Sequence, residues 1–279
     1  MDVEDYRRTS PQVWEAMAPG WERWRAQLAE ALTPVREWLI GRIRPRPGET
    51  VLELGAGTGE TGFEAAALLG DDGQLVSTDF SPEMVEVARR RGTELGLGNV
   101  DYRVIDAERI ELDSGSVDGV LCQSTYMLTA DPAAALAETR RVLRPGGRLA
   151  LSVWGAPDRN PWASIGGMIL VERGHLPPPE PEAPGVFSMA SEERTRALLD
   201  GAGFSSVRTE EVPLRFIFRA LDDYEQWVTD VAGPFAMVVR GLPNDEREVL
   251  RARLEEAFVP FAGDGGYELP GVALCAVAS

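Results

Sequence analysis

Between Tyr6 and Arg44 the apolar residues Trp14, Met17, Trp21, Trp24, Leu28, Leu32, Val35 and Leu39 recur at helical spacing with polar positions between them. This period predicts two or three amphipathic helices, broken at Pro19-Gly20 and again near Thr33-Pro34. The turn-rich run RPRPGE closes the section. From Glu49 the texture changes to short apolar runs alternating with helical patterns. TVLEL reads as a buried strand, followed by a glycine-rich turn and the helix TGFEAAALLG. QLVSTDF is a second strand, and SPEMVEVARRRG a second helix with Ser81 as N-cap and Pro82 in its first turn. NVDYRVID and SVDGVLCQ are the third and fourth strands. DPAAALAETRRVL is a helix capped by Asp131 and ended by RPGG, and GRLALSVW is a fifth strand.

After Trp154 the alternation pauses over residues 156–190, where a proline-rich run from Pro177 to Pro184 replaces a simple crossover. SEERTRALLDGAG restores a helix and FSSVRTEEVPLRFIF a strand. Two helical segments follow, LDDYEQWVTDVAGPFAMVVRGL and NDEREVLRARLEEAFVPF, and YELPGVALCAVAS closes as a last strand. Strands that alternate with helices through right-handed crossovers form a parallel sheet covered on both faces. The expected fold is α/β, doubly wound, with a mainly parallel seven-stranded sheet, added N-terminal helices and a helical lid. One domain spans 1–279: a helical cap over 1–47, a ligand-binding core over 48–155, the insert over 156–190, and a C-terminal part over 191–279.

Charge narrows the partners. The chain of 279 residues carries 28 basic against 45 acidic residues, a net charge of −17, and every basic residue apart from its one histidine is arginine. Nucleic-acid binding draws on Lys/Arg neutralising phosphates, and no basic stripe is visible, so a nucleic-acid partner is not expected. Cys122 and Cys275 form neither a disulfide framework nor a metal-ligand pattern, and they read as small buried hydrophobes in a reducing cytoplasm. The N-terminal run is polar, and no apolar stretch approaches the roughly 18 residues of a membrane span.

The chemistry concentrates in VLELGAGTGETG, Val51 to Gly62. Gly55, Gly57 and Gly59 form the first strand-to-helix turn, where a missing Cβ permits positive φ and lets a ligand approach the backbone. An acidic residue about 20 positions on, here Asp79, holds a ribose in such sites. Two ligand classes share this arrangement. Read from Gly57 through Gly59 and Gly62, the stretch fits the dinucleotide pattern G-x-G-x-x-G. Read from Glu53, ELGAGTG resembles the first motif of class I S-adenosylmethionine-dependent methyltransferases.

That resemblance extends over residues 48 to 155, and the set is similar to the ubiquinone/menaquinone-biosynthesis-type methyltransferases of small molecules. It implies a Rossmann-like methyltransferase fold, S-adenosylmethionine as donor and S-adenosylhomocysteine as product. Gly55, Ala56, Gly57 and Gly59 would cradle the donor. Glu53 would act near its methionine amino group, or else bind nearby backbone donors. Asp79 would take both ribose hydroxyls, with Phe80 and Met84 against the adenine or simply in the core. Asp106 would accept from the adenine amino group, or be a solvated turn residue, and Ala107 would present its N–H. Gln123, at the end of the fourth strand, would contact ligand.

Methyl transfer from a sulfonium needs alignment more than acid–base machinery, so no metal is required and the acceptor is expected to be a small organic molecule. His175 and Tyr126 are the weak candidates for a general base. Trp14, Trp21 and Trp24 form a packing stripe from which Trp21 could close the donor pocket, and Trp154 and Trp162 could line the acceptor pocket or belong to the core. The N/D-P-P-Y/F run of base-methylating enzymes is missing, since the corresponding position reads CQSTYM. Two other readings stand beside this one. A methyltransferase fold could lack methyl transfer and act as a cyclase or regulatory protein. A nicotinamide-dependent oxidoreductase is disfavoured, because its Tyr-x-x-x-Lys pair cannot form without lysine. The acceptor, the methylated atom and the oligomeric state are not legible in the sequence.

Overall fold

The computed structural model describes residues 3–180 and 183–279; Met1 and Asp2 of the N-terminal run, and Pro181 and Glu182 of the proline-rich insert, lie outside the described residues. Helix α1 (Val3–Ala31) runs without a break through Pro11 and Pro19, which corrects the expected interruption at Pro19-Gly20. Proline removes one intrahelical hydrogen bond. Here a tertiary contact outweighs that loss, because α1 crosses another helix at Gly20, where a Cβ would sit 2.1 Å from the carbonyl oxygen of Asp230. The second expected break is present, and α2 (Thr33–Ile43) follows with Pro34 in its first turn.

The alternating region follows the pattern in the sequence: β1 (Thr50–Leu54), α3 (Glu60–Leu69), β2 (Gln74–Asp79), α4 (Pro82–Glu94), β3 (Val100–Val104), β4 (Val117–Gln123), α5 (Pro132–Val142) and β5 (Leu143–Trp154). Ser81 caps α4 by accepting the Met84 N–H at 3.3 Å, and Asp131 caps α5 by accepting the Ala134 N–H at 3.0 Å. The chain continues as α6 (Pro161–Glu172), α7 (Glu192–Gly201), β6 (Arg208–Phe218), α8 (Leu221–Val231), α9 (Pro234–Gly241), α10 (Asn244–Phe258), the short β7 (Ala262–Gly263) and β8 (Gly266–Ala278). Helix α6 lies inside the stretch read as an irregular insert. Its Gly166-Gly167 pair masked it in the sequence, yet Gly166 is set by packing, since a Cβ there would meet the Phe235 ring at 2.9 Å.

The strands form one sheet in the order β3-β2-β1-β4-β5-β8-β6, with β7 paired to β8. β1 to β5 pair in parallel, whereas β8 runs antiparallel to both β5 and β6. The order reverses between β1 and β4. The central strands carry continuous apolar runs because helices cover both faces, with Val51, Leu52, Leu54, Val120, Leu121, Leu149 and Leu151 all buried. Edge strand β6 instead alternates buried and exposed positions along its second half. Both cysteines are buried and free. No helix among the described residues is long and apolar enough to cross a membrane.

Candidate functional site

Strand register gathers the candidate residues along one edge. Leu54 pairs with Thr78 and with Cys122, and Asp79 pairs with Val104. The segments that leave the carboxyl ends of β1, β2, β3 and β4 therefore emerge side by side at the point where strand order reverses. In open α/β sheets this is where ligands bind.

Gly55, Gly57 and Gly59 all adopt positive φ, at 64°, 55° and 93°. Their reasons differ. A Cβ on Gly55 would strike Thr125 Oγ1 at 2.1 Å, and one on Gly59 would strike the Phe63 ring at 2.3 Å. A Cβ on Gly57 would meet only Trp21 Cε3, 4.0 Å away, among the described residues. Gly55 and Gly59 thus permit close packing inside the protein, whereas a Cβ on Gly57 would only touch the Trp21 ring, so its backbone lies uncrowded beneath a tryptophan. The Ala56 N–H is spent on the Thr78 carbonyl at 2.9 Å, which ties the turn to β2.

Asp79, 6% exposed at the end of β2, accepts the Gly57 N–H through Oδ2 and the Ser81 N–H through Oδ1, each at 3.0 Å. Burial pushes its carboxyl up to about 6, against the lowering effect of those backbone donors. The Phe80 backbone also acts on this carboxylate, and with three backbone donors on its two oxygens it keeps acceptor capacity for a further hydroxyl. Glu53, 3% exposed, lies beneath the turn: Oε1 accepts the Gly62 N–H at 2.6 Å and Oε2 the Ser77 hydroxyl at 3.0 Å. Burial raises its carboxyl to about 8. A Cβ on Gly62 would lie 2.1 Å from that carboxylate, so Gly62 makes room for Glu53. Both Glu53 oxygens are engaged by the protein's own donors. In this position it braces the turn from below, the arrangement that the second of its two roles describes.

Phe80 is half-buried and Met84 buried at the start of α4. Ile105 donates its N–H to the Asp79 carbonyl at 3.0 Å, which brings Asp106 and Ala107 beside the end of β2. The Asp106 side chain is exposed, and its Oδ1 accepts the Glu108 N–H at 2.9 Å. Gln123 at the end of β4 accepts the Thr61 hydroxyl at 2.8 Å and so bridges β4 to the first helix of the core. Ser124 follows with φ 56°, the left-handed region that a non-glycine residue enters at some cost, and its N–H donates to the Ser152 carbonyl. Thr125, pressed on Gly55, and Ser124 were not singled out in the sequence; their only signal was their place directly after a strand that ends at the reversal of order.

Neither base candidate joins this group. Tyr126 is fully buried, its hydroxyl pairs with Thr139 Oγ1 at 2.7 Å, and burial raises the phenol well above its ordinary value. It turns into the core against α5, which removes it as a base. His175 lies past the end of α6, and its Nε2 pairs at 3.0 Å with Glu246 of α10, a carboxylate held at about 2 by Arg173 and His175. Trp154 and Trp162 pack edge to face at 4.7 Å and continue through Phe216 and Trp227, so they belong to a buried aromatic cluster. Bare glycine backbone, a buried carboxylate with free lone pairs, and apolar Phe80 and Met84 beside it suit a ribose-bearing, adenine-containing ligand, as S-adenosylmethionine is.

A family model described as "Methyltransferase domain" matches residues 45–164. The chain is 30% identical over 223 residues to an uncharacterized methyltransferase-like protein of Schizosaccharomyces pombe, covering 80% of this chain and 77% of that one. It is 32% identical over 152 residues to the aklanonic acid methyltransferase DauC of Streptomyces sp. strain C5, covering 54% and 68%. Alignments with several other curated relatives span about half of those proteins' lengths. Among solved structures, the YcgJ protein from Bacillus subtilis shares the fold, with a TM-score of 0.58 at 20% identity over 87% of this chain and 96% of that one. The strand order, the glycine turn with its buried acid, and this kinship agree: the chain belongs to the class I S-adenosylmethionine-dependent methyltransferases.

Proposed function

We propose that this protein transfers a methyl group from S-adenosylmethionine to a small organic acceptor. The observation that carries the reading is the uncrowded left-handed backbone at Gly57, flanked by the Asp79 carboxylate and covered by Trp21. When bound, the donor supplies its own activation, since its sulfonium makes the methyl electrophilic. The chain's work is to bind and align. Asp79 takes the ribose hydroxyls, the turn backbone lies against the donor, Phe80 and Met84 flank the adenine, and Asp106 and Ala107 receive its polar edge. Gln123 and Ser124, at the end of β4, face the place where acceptor and methyl meet. With Tyr126 inside the core and His175 paired to Glu246, we assign no general base, and alignment carries the rate.

A small acceptor is supported by the acidic balance of the chain, whose 45 carboxylates against 28 arginines do not suit a nucleic acid, and by a relative whose name places its action on aklanonic acid. The burial of both free cysteines suits a reducing, cytoplasmic setting. Titration calorimetry with S-adenosylhomocysteine, S-adenosylmethionine and NAD tests the donor site. The first two are expected to bind in the micromolar range and NAD to give no heat. Asp79→Ala is expected to lose S-adenosylhomocysteine binding by ~100-fold or more, as befits removal of a charge-assisted hydrogen bond. Retained affinity in that variant would refute the site.

A further inference from the structure

Four residues of α1 converge on the end of α8. Asp230, 8% exposed in the last turn of α8, accepts Arg23 Nη1 at 2.7 Å and Trp24 Nε1 at 2.8 Å on Oδ2, while Oδ1 accepts Gln226 Nε2 at 3.1 Å. Gly20 lies so close that only a hydrogen fits between its backbone and the Asp230 carbonyl. Trp21, between Gly20 and Arg23, donates its indole N–H to the neighbouring Val231 carbonyl at 3.1 Å. Cε3 of the same ring lies over Gly57, the one glycine of the turn that no neighbour crowds. Trp14 packs edge to face on Trp21 at 6.2 Å. The ties from α1 to the core helices are weaker: Arg25 to Glu60 at 3.1 Å, and Glu22 to Arg90 at 3.0 Å between exposed side chains. Nearer its N-terminus α1 is also tied to the loops after β3 and β4, by Arg7 on Glu108 at 2.8 Å and the Tyr6 hydroxyl on the Leu128 carbonyl at 2.7 Å, but around Trp21 its attachment is to α8.

We propose that Asp230 is a positioning residue that latches α1 to α8 and thereby holds Trp21 as the cover of the donor cleft, so that donor exchange requires the latch to open. The proposal rests on the donor site described above. One buried carboxylate serves three side-chain donors from two helices, which makes the contact local and cooperative. Its release frees α1 around Gly20 while the glycine turn stays as it is, because no residue of the turn bonds to α8.

The test is the dissociation rate of S-adenosylhomocysteine from the full-length protein, measured by surface plasmon resonance for wild type, Asp230→Ala, Trp21→Ala and the double variant, with melting temperatures alongside. Asp230→Ala and Trp21→Ala are each expected to release the ligand on the order of tenfold faster. The double variant is expected to be no faster than Trp21→Ala alone, since the latch acts through the ring. Asp230→Asn, which keeps an oxygen for Trp24, is expected to fall between. An unchanged rate in Asp230→Ala, or the same factor with and without Trp21, overturns the latch even if the melting temperature falls. Should Asp230→Ala fail to fold, Arg23→Ala removes the ion pair from its exposed side and is read by the same criterion. Loss of binding in Asp79→Ala with no effect at Asp230 refutes the latch alone. Wild type that binds no S-adenosylhomocysteine refutes the donor site and the latch with it.

Discussion

The two ends of the sheet are built on different principles. Around β1, β2 and β3 the structure is made of backbone: left-handed glycines, N–H groups taken by Asp79 and Glu53, and a turn tied to the neighbouring strand. Around β5, β6 and α8 it is made of rings. Trp154, Trp162, Phe216, Trp227, Phe218, Tyr224 and Phe258 form a continuous aromatic cluster, with Tyr224 donating its hydroxyl to the Trp162 carbonyl and Asn160 joining α6 to β8. Backbone geometry tolerates almost no substitution but recognises a constant feature of a ligand. Ring packing recognises nothing from outside; its buried faces hold β5, β6 and α8 together.

This contrast can be broken in order of expected effect. Trp162→Ala should cost about 3–5 kcal/mol of stability by opening a cavity among the rings. S-adenosylhomocysteine affinity should stay within about threefold of wild type, because the donor end does not use that ring. Denaturant unfolding and calorimetry decide this, and parallel losses in both would show that the two ends are one unit. Gly57→Val should do the reverse. Its strained φ costs about 1–2 kcal/mol, and its side chain presses on Trp21 and covers the turn backbone, so S-adenosylhomocysteine binding should fall by ~100-fold or more.

Two further effects are pH-dependent and smaller. Asp79 must be ionised to accept ribose hydroxyls, and burial raises it from 3.8 to about 6. Donor affinity should therefore fall by about tenfold for each pH unit below that value, measurable by calorimetry between pH 7 and pH 5. Glu53 is raised from 4.5 to about 8, so the folded state holds its proton more tightly than the unfolded chain does. The associated stability is present below pH 4.5 and is lost as pH rises through about 8. Glu53→Gln, which stays neutral, should flatten the decline of melting temperature across that window.

The donor end was legible because its constraints are local. Gly55, Gly57, Gly59, Asp79 and the Ser81 cap each follow from a residue type that a tight turn or helix start demands. The sequence also pointed to the strand alternation that puts them on one edge. It misread places where distant segments meet. Pro19-Gly20 looked like a helix break, yet Gly20 is the crossing point of α1 on α8. Gly166-Gly167 hid α6, although Gly166 makes room for Phe235. Tyr126 sat correctly after β4 but turned inward, where its ring is buried and its hydroxyl meets Thr139 of α5, a contact between segments that no local pattern announces.

By itself the sequence determined the doubly wound core, the glycine turn and the acid that serves it, since periodicity, capping and positive φ are properties of short stretches. Only the tertiary structure decided that Glu53 supports the turn from beneath, that Trp154 and Trp162 are core, and that Asp230 reaches back to Arg23 and Trp24. Those outcomes depend on which segments, more than 200 residues apart in the case of Asp230 and Arg23, close on one another. No local pattern encodes that proximity; it is set by the shared burial of surfaces that exist only once the sheet has formed.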